Sequence, residues 1–598
     1  MNKDEILDEL SIVQDEINTL PKGYISKKKI NGKIRYYLQW NENGKKHSKY
    51  IDESLLNDIL KNIDRRKELK AKEEELKLLI KNYESKTKKK NIHNFKTNII
   101  LGKDLSQFVS KIKLWKKRNI YKNITDYLYD FNSDKVLVLY GLRRTGKTTL
   151  IKQAILNMND FDKSKTAFIQ ANDKTTLSDI NQDLKYLMNN DFKYIFIDEI
   201  TLAEDFIQGA ALFSDIFVSC GMKIVLSGTD SLGFYFSKDE QLYDRALFIH
   251  TTFIPYKEFE EVLGIKGIDE YICYGGTMSL GGINYNDSSI FSNKKKVDEY
   301  IDSAISKNIQ HSLKFYQYGG HFRALYDLYE KNELTRAINR VVEDFNHQFT
   351  IDVLTKNFIS HDLGISQRNL RNDRTNPNDT LDYINKDEFT NRLKQLLEIK
   401  NKDEQKVLIL DEHKEQIKEY LDALDLTLDV EIESIPVNNK KNYKVLFTQP
   451  GIRYSQAKEF VKSLLLDEVF QNISIDEKSY IIDRILNEIK GRMLEDIVLL
   501  ETKIAKRDKL VFKLQFDVGE FDMVVFDPIN LNCKIYEIKH SKEQSIEQYR
   551  HLIDIDKIKK TEFRYGKILK KVILYRGENI ILDNGIEYIN VEDYLKEL

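Results

Sequence analysis

The apolar run KVLVLY passes directly into GLRRTGKT at 141–148, and TLIKQAI then continues with helical spacing. Gly141 and Gly146 let the backbone wrap an anion and present N–H groups that a Cβ-bearing turn would point elsewhere. Arg144 and Thr145 complete the loop, Lys147 is placed to reach the β- and γ-phosphates of ATP, and Thr148 to bind Mg2+. Thr149 opens the helix whose positive N-terminus faces the anion. A strand, loop and helix in this order restrict the surrounding fold. TAFIQA, YIFID and KIVLSG are further short apolar runs separated by helical patterns, so residues 97–265 read as a parallel sheet covered on both faces.

The run KYIFIDEI delivers two carboxylates at a strand end. Asp198 is expected to hold magnesium through water and Glu199 to polarise the attacking water. The strand KIVLSGTD ends at Ser227 and Thr229, either of which is placed to sense the γ-phosphate, and Arg245 is a candidate arginine finger in cis or in trans. The sequences GLRRTGKTTL, YIFIDEI, VLSGTDSL, RALFIHTTFIPYKEFEE and IDEYICYGG together resemble the archaeal-type AAA ATPases over about residues 97–280. That resemblance implies an ATPase core followed by a helical and winged-helix region.

At 598 residues the chain is too long for one core, at roughly 150 residues per domain. The expected class is a multidomain α/β protein with five parts. Residues 1–96 form a β-meander flanked by helices, and its aromatic and basic residues make it a candidate nucleic-acid surface or coiled-coil arm. Residues 97–265 form the ATPase core and 266–400 a helical region, in which TIDVLTKNFISHDLGISQRNLRND reads as helix, turn, helix with its bend at Gly364. Residues 401–487 are winged-helix-like, with LDVEIESI and YKVLFTQ as the strands of the wing, and 488–598 close the chain. Lysine plus arginine, 94, nearly cancels aspartate plus glutamate, 95, so any nucleic-acid contact must come from local patches. Three scattered cysteines fit a reducing cytoplasm, and no apolar run approaches the roughly 20 residues of a membrane span. A homo-oligomer without a membrane contact is the expected assembly.

Near the end, GRMLEDIVLLETK reads as a helix carrying Glu495, and VFKLQFDVGEFDMVVFD as a hairpin turning at Val518 and Gly519 with Asp522 on its second strand. In the strand CKIYEIKHS, Glu537 and Lys539 are two apart and share a face. A buried strand seldom carries both charges unless they pair or serve a site. Asp522 and Glu537, with the Ile538 carbonyl, are hard oxygen ligands for Mg2+ or Mn2+; Lys539 can stabilise a pentacovalent phosphate, and Glu495 can complete the metal shell. The pattern resembles the PD-(D/E)xK nuclease fold over 488–598, with Glu520 and Phe521 where the proline of the name would stand. Gln544 or Gln548 would assist, and Arg453, in the connecting region, is a candidate for phosphate contact or packing. The implied function is an ATPase coupled to a metal-dependent nuclease, cutting DNA rather than RNA, in a setting such as defence against phage or mobile elements. The alternatives are a non-cleaving, nucleotide-dependent regulator or DNA-binding switch, and a motor that remodels a polymer.

Overall fold

A computed structural model describes residues 3–598 apart from 31–32, 43, 89–93, 113–114, 131, 204, 230–233, 235–241, 279–290, 316–321, 360–408, 437–440, 465 and 467–473. The chain divides into two units, Met1–Phe95 and Lys96–Leu598.

The first unit is a three-stranded antiparallel sheet, Tyr24–Ile30, Lys33–Glu42 and Lys45–Ile51, with the helices Lys3–Thr19 and Leu56–Lys88. Ile6, Val13 and Ile17 of the first helix bury against Leu69 and Leu76 of the second. Leu38 and Ile51 of the sheet close on Ile59 and Ile63 of the same long helix. The tight turn at Asn31 and Gly32, and Asn43 of the second turn, lie outside the described residues.

The second unit contains two sheets. A six-stranded sheet runs in the order Asn98–Leu101, Thr166–Gln170, Tyr194–Asp198, Lys223–Gly228, Val136–Tyr140, Ala246–His250, and all neighbours are parallel except the first pair. Nearly every residue of its central strands is buried, because helices cover both faces. The strand that feeds the 141–148 loop is separated from the Asp198 strand by Lys223–Gly228. The end of that intervening strand therefore lies between the phosphate loop and the acidic pair.

The other sheet has eight strands, and it corrects one expectation. Thr427–Ile435 and Asn442–Phe447, expected as the wing of a winged helix, are its outer strands: Thr427–Ile435 pairs in parallel with Leu510–Phe516. Hairpin formation is local and was readable, whereas the sheet a hairpin joins depends on residues some eighty positions away. Beyond Leu510–Phe516 follow Glu520–Asp527, Asn532–Ile538, Lys567–Tyr575, Ile586–Asn590 and Ile580–Ile581. One face packs on the helix Ile475–Ala505 through Met493, Ile497 and Val498. The other packs beneath Leu552 and Tyr565. Of the helix, turn, helix segment, the beginning lies in the helix Leu334–Ile359, and Gly364 with the remainder lies outside the described residues.

Candidate functional site

The phosphate loop is built as a cradle. Gly146 has φ 93° and Gly141 φ 142°, and a Cβ at Gly141 would stand 2.6 Å from Thr251 Oγ1, so only glycine fits against that neighbour. Thr145 Oγ1 donates to the Leu142 carbonyl at 2.8 Å and meets Thr251 Oγ1 at 2.8 Å. Arg144 takes a positive φ of 63° and its carbonyl accepts from the Met278 N–H at 2.8 Å. Lys147 is buried, and its ammonium donates to the Gly141 and Leu142 carbonyls at 2.7 and 2.9 Å. Burial lowers its pKa to about 8, against the pull of Glu199 and Asp198. Thr149 lies in the first turn of the helix Lys147–Leu156.

Thr148 Oγ1 donates to Asp198 Oδ2 at 2.7 Å, and Ser227 donates to the other Asp198 oxygen. Glu199 sits at φ 54°, a strained position for a residue with a side chain, and its carboxylate accepts from the Thr229 hydroxyl at 3.0 Å and N–H at 3.3 Å. The two residues at the end of the intervening strand therefore each hold one member of the acidic pair. A buried carboxylate at a strand end, a threonine hydroxyl on it and a desolvated lysine held by carbonyls fit Mg2+ and a triphosphate, because each polar atom is already arranged for a hard ion or an anion.

Sequence reasoning passed over Arg118, which lies in the basic segment 111–122. It is buried, pairs with Glu258 at 2.7 Å and donates to the carbonyls of Thr145, Thr251 and Phe253. A lysine-rich stretch reads as a solvated face, so nothing local distinguishes this arginine. Arg245 sits elsewhere. It precedes Ala246, which is level with Val136, at the end of the sheet opposite the phosphate loop. The five residues of Val136–Tyr140 separate the two by about 16 Å, which excludes a finger in cis. Its guanidinium pairs with Asp215 at 2.7 Å.

The second centre lies at the ends of neighbouring strands. Asp522 and Glu537 are both buried, and the Lys539 ammonium bridges them at 3.2 and 2.8 Å. The Ile538 N–H donates to Asp522 Oδ2 at 2.8 Å. Around this triad stand two residues that sequence reasoning did not name. Lys513 pairs with Glu520 at 2.7 Å and lies 3.5 Å from Glu495 and 3.9 Å from Asp522. Arg492 donates to both Glu495 oxygens, at 2.8 and 3.0 Å. Glu495, expected as a metal ligand, is thus committed to two cations. The strand register shifts between Phe512 and Leu514, so that Asp522 and Met523 together oppose Lys513. This bulge turns Asp522 toward the lysines.

Burial raises the Glu537 pKa to about 8, and the Asp522 charge adds to the rise while Lys539 opposes it. Burial also acts to raise Asp522, but Lys539 and Lys513 outweigh it and hold that carboxyl well below its usual range. The Lys539 ammonium is held above its ordinary value by the two carboxylates, against burial. Among the described residues no group of three or more His, Cys, Asp and Glu side chains is arranged around a metal position. Glu537 Oε1 is nevertheless buried without a hydrogen-bond partner, and an orphaned carboxylate oxygen beside a second carboxylate fits a hard cation.

Gln544 and Gln548 do not reach this centre. Gln544 donates to the Tyr575 hydroxyl at 3.2 Å, and Gln548 caps the short turn Ile546–Tyr549 and donates to Ser541. Arg453 is buried between the Phe349 and Phe447 rings and ion-paired with Asp496, which is packing and not a phosphate contact.

The phosphate loop, the buried aspartate and the interposed strand define a P-loop nucleotide-binding domain. Comparison with known families sharpens this: residues 133–260 match the AAA domain family, and residues 3–61 match a domain of unknown function (DUF6788). No curated protein matches the chain. The match supports reading residues 133–260 as an AAA-type P-loop ATPase domain, a kind of domain that binds nucleotide, typically with Mg2+. No helix among the described residues is long and apolar enough to cross a membrane.

Proposed function

We propose that the chain is an ATP-hydrolysing switch coupled to a metal-dependent phosphodiesterase that cleaves nucleic acid, DNA in preference to RNA. The observation that carries this reading is the buried Asp522 and Glu537 pair, bridged by Lys539, with Glu537 Oε1 left without a partner. Mg2+ or Mn2+ held there by Asp522 and Glu537 would supply a nucleophilic water and charge neutralisation at a phosphodiester. Lys539, relieved of the carboxylates, would donate to the phosphate oxygen that gains charge. Lys513 and Arg492 hold Glu495 and Glu520 in place and so position this centre.

In the ATPase domain Lys147 would receive the β- and γ-phosphates, Thr148 and Asp198 would hold Mg2+, and Glu199 would leave Thr229 to orient the attacking water. One set of contacts supports coupling between the two centres. Asp269, in the helix Ile268–Tyr274 that follows the ATPase sheet, meets His540 at 2.8 Å and Arg576 at 2.6 Å, and His540 adjoins Lys539. Movement of that helix on nucleotide turnover would act on the strand end that carries the lysine.

The test is an ATP and metal matrix on single- and double-stranded DNA and RNA, using wild type, Lys147→Ala and Lys539→Ala. Cleavage is expected to need Lys539 and a divalent metal. Cutting by purified Lys539→Ala would remove the assignment. A second reading, a non-cleaving nucleotide-dependent regulator, is favoured by the ion pairs that close Lys539 onto both carboxylates. Calorimetry showing no Mg2+ or Mn2+ binding, together with intact ATP turnover, would select it.

A further inference from the structure

The N-terminal sheet has two unlike faces. The strand register sets Ile25, Tyr36, Leu38 and Ile51 on the side that packs on the long helix through Ile59 and Ile63. The same register sets Tyr24, Tyr37 and Tyr50 on the opposite side, with Lys28, Lys33, Arg35 and Lys46 around them. Tyr24 is 54% exposed and Tyr50 53%. Tyr37 meets Tyr50 edge to face at 5.7 Å between centroids, and the Lys28 ammonium lies 5.2 Å over the Tyr37 ring. The described residues of this face include no carboxylate. A solvated face on a chain with balanced charge has no reason to gather aromatics and cations while excluding every acid.

From this we infer that the outer face of the N-terminal sheet binds single-stranded DNA. Tyrosine rings at the surface of a sheet are platforms for unpaired bases, and cations between them suit the phosphates that follow the bases along the strand. A duplex hides its base faces, so the tyrosines select single strands. The Gln39 side-chain oxygen already accepts from the Tyr24 hydroxyl at 3.0 Å, and no carboxylate stands on the described face to accept from a 2′-hydroxyl. The site is separate from the acidic centre of the second unit, and it holds whether or not that centre cleaves.

Fluorescence anisotropy of a labelled 20-nucleotide oligothymidylate with the full chain, in EDTA and without ATP, tests this without any cleavage readout. Tyr37→Ala and Tyr50→Ala together should weaken binding about ten-fold or more, and Tyr37→Phe with Tyr50→Phe should restore it, because the rings and not the hydroxyls stack. Lys28→Glu with Arg35→Glu should lower the slope of log affinity against log salt by roughly 1.4, at about 0.7 per phosphate contact. Equal affinity for a duplex of the same length, stronger binding of oligouridylate, or indifference to the tyrosine substitutions would each overturn the proposal.

Discussion

The two charged centres of the second unit use the same residue types in opposite ways. At the phosphate loop the lysine rests on carbonyls, loses solvation and is driven down to about 8, while Asp198 is satisfied by the hydroxyls of Thr148 and Ser227. At the C-terminal centre the lysines rest on carboxylates, and Asp522 accepts in addition from the Ile538 N–H. The first arrangement is short of negative charge and is completed by an anion. The second is already neutralised within the protein, so a metal or a phosphate must compete with internal ion pairs. Readiness for a ligand thus differs more between the centres than composition does.

The largest expected effect falls on the first centre. Lys147→Ala should lower ATP turnover by about 1,000-fold, measured as phosphate release at saturating ATP, while leaving the melting behaviour of the chain little changed. The second centre should respond in the reverse sense. Lys513→Met leaves Glu520, Glu495 and Asp522 without a shared counter-charge, and should cost about 3 kcal/mol in urea unfolding while leaving ATP turnover intact. If both substitutions destabilise equally, the distinction between the centres fails.

A smaller effect follows from Glu537. Its folded pKa of about 8 lies above its ordinary 4.5, so between these values the folded state keeps a proton that the unfolded state has released. Stability contributed by this group is full below pH 4.5 and is lost as pH rises through about 8. Glu537→Gln should therefore gain stability over wild type as pH rises from 4.5 to 8, with no gain at pH 4.5, in urea unfolding followed across that range. Glu501, also raised to about 8 by burial, supplies the control: Glu501→Gln should flatten the pH profile without touching metal affinity. The smallest effect is expected at Arg245, whose exposed pair with Asp215 contributes less than about 1 kcal/mol. Arg245→Ala should change ATP turnover less than about two-fold. A loss that appears only at high protein concentration would instead make it a finger donated to a neighbouring copy.

How far the sequence revealed these centres depended on how local their chemistry is. The phosphate loop is encoded in eight consecutive residues whose backbone requirements only certain side chains meet, so its lysine, threonine and glycines were legible. Asp198 and Glu199 were legible as carboxylates ending an apolar run, but their partition between Ser227 and Thr229 needed the strand order. At the C-terminal centre Asp522, Glu537 and Lys539 stood out because charges interrupt buried strands. Lys513 did not, since VFKLQF alone says only that one residue in a strand is polar. Its role arises from the bulge opposite it, where a strict two-residue alternation breaks. Arg118 acts through a partner far along the chain that no spacing marks, and Arg492 stands three residues before Glu495, a spacing that many solvated helix pairs share.

The shared eight-stranded sheet has a practical meaning for anyone who wants the C-terminal centre by itself. A fragment begun at residue 488, where the sequence invites a cut, would retain Leu510–Phe516 but lose the strand that zips along it from Ile432 to Ile435. It would present a bare, largely apolar ribbon to every other copy in the tube, and the expected product is a precipitate mistaken for an unstable domain. A fragment begun ahead of the helix Asp411–Ala423 would carry its own cover.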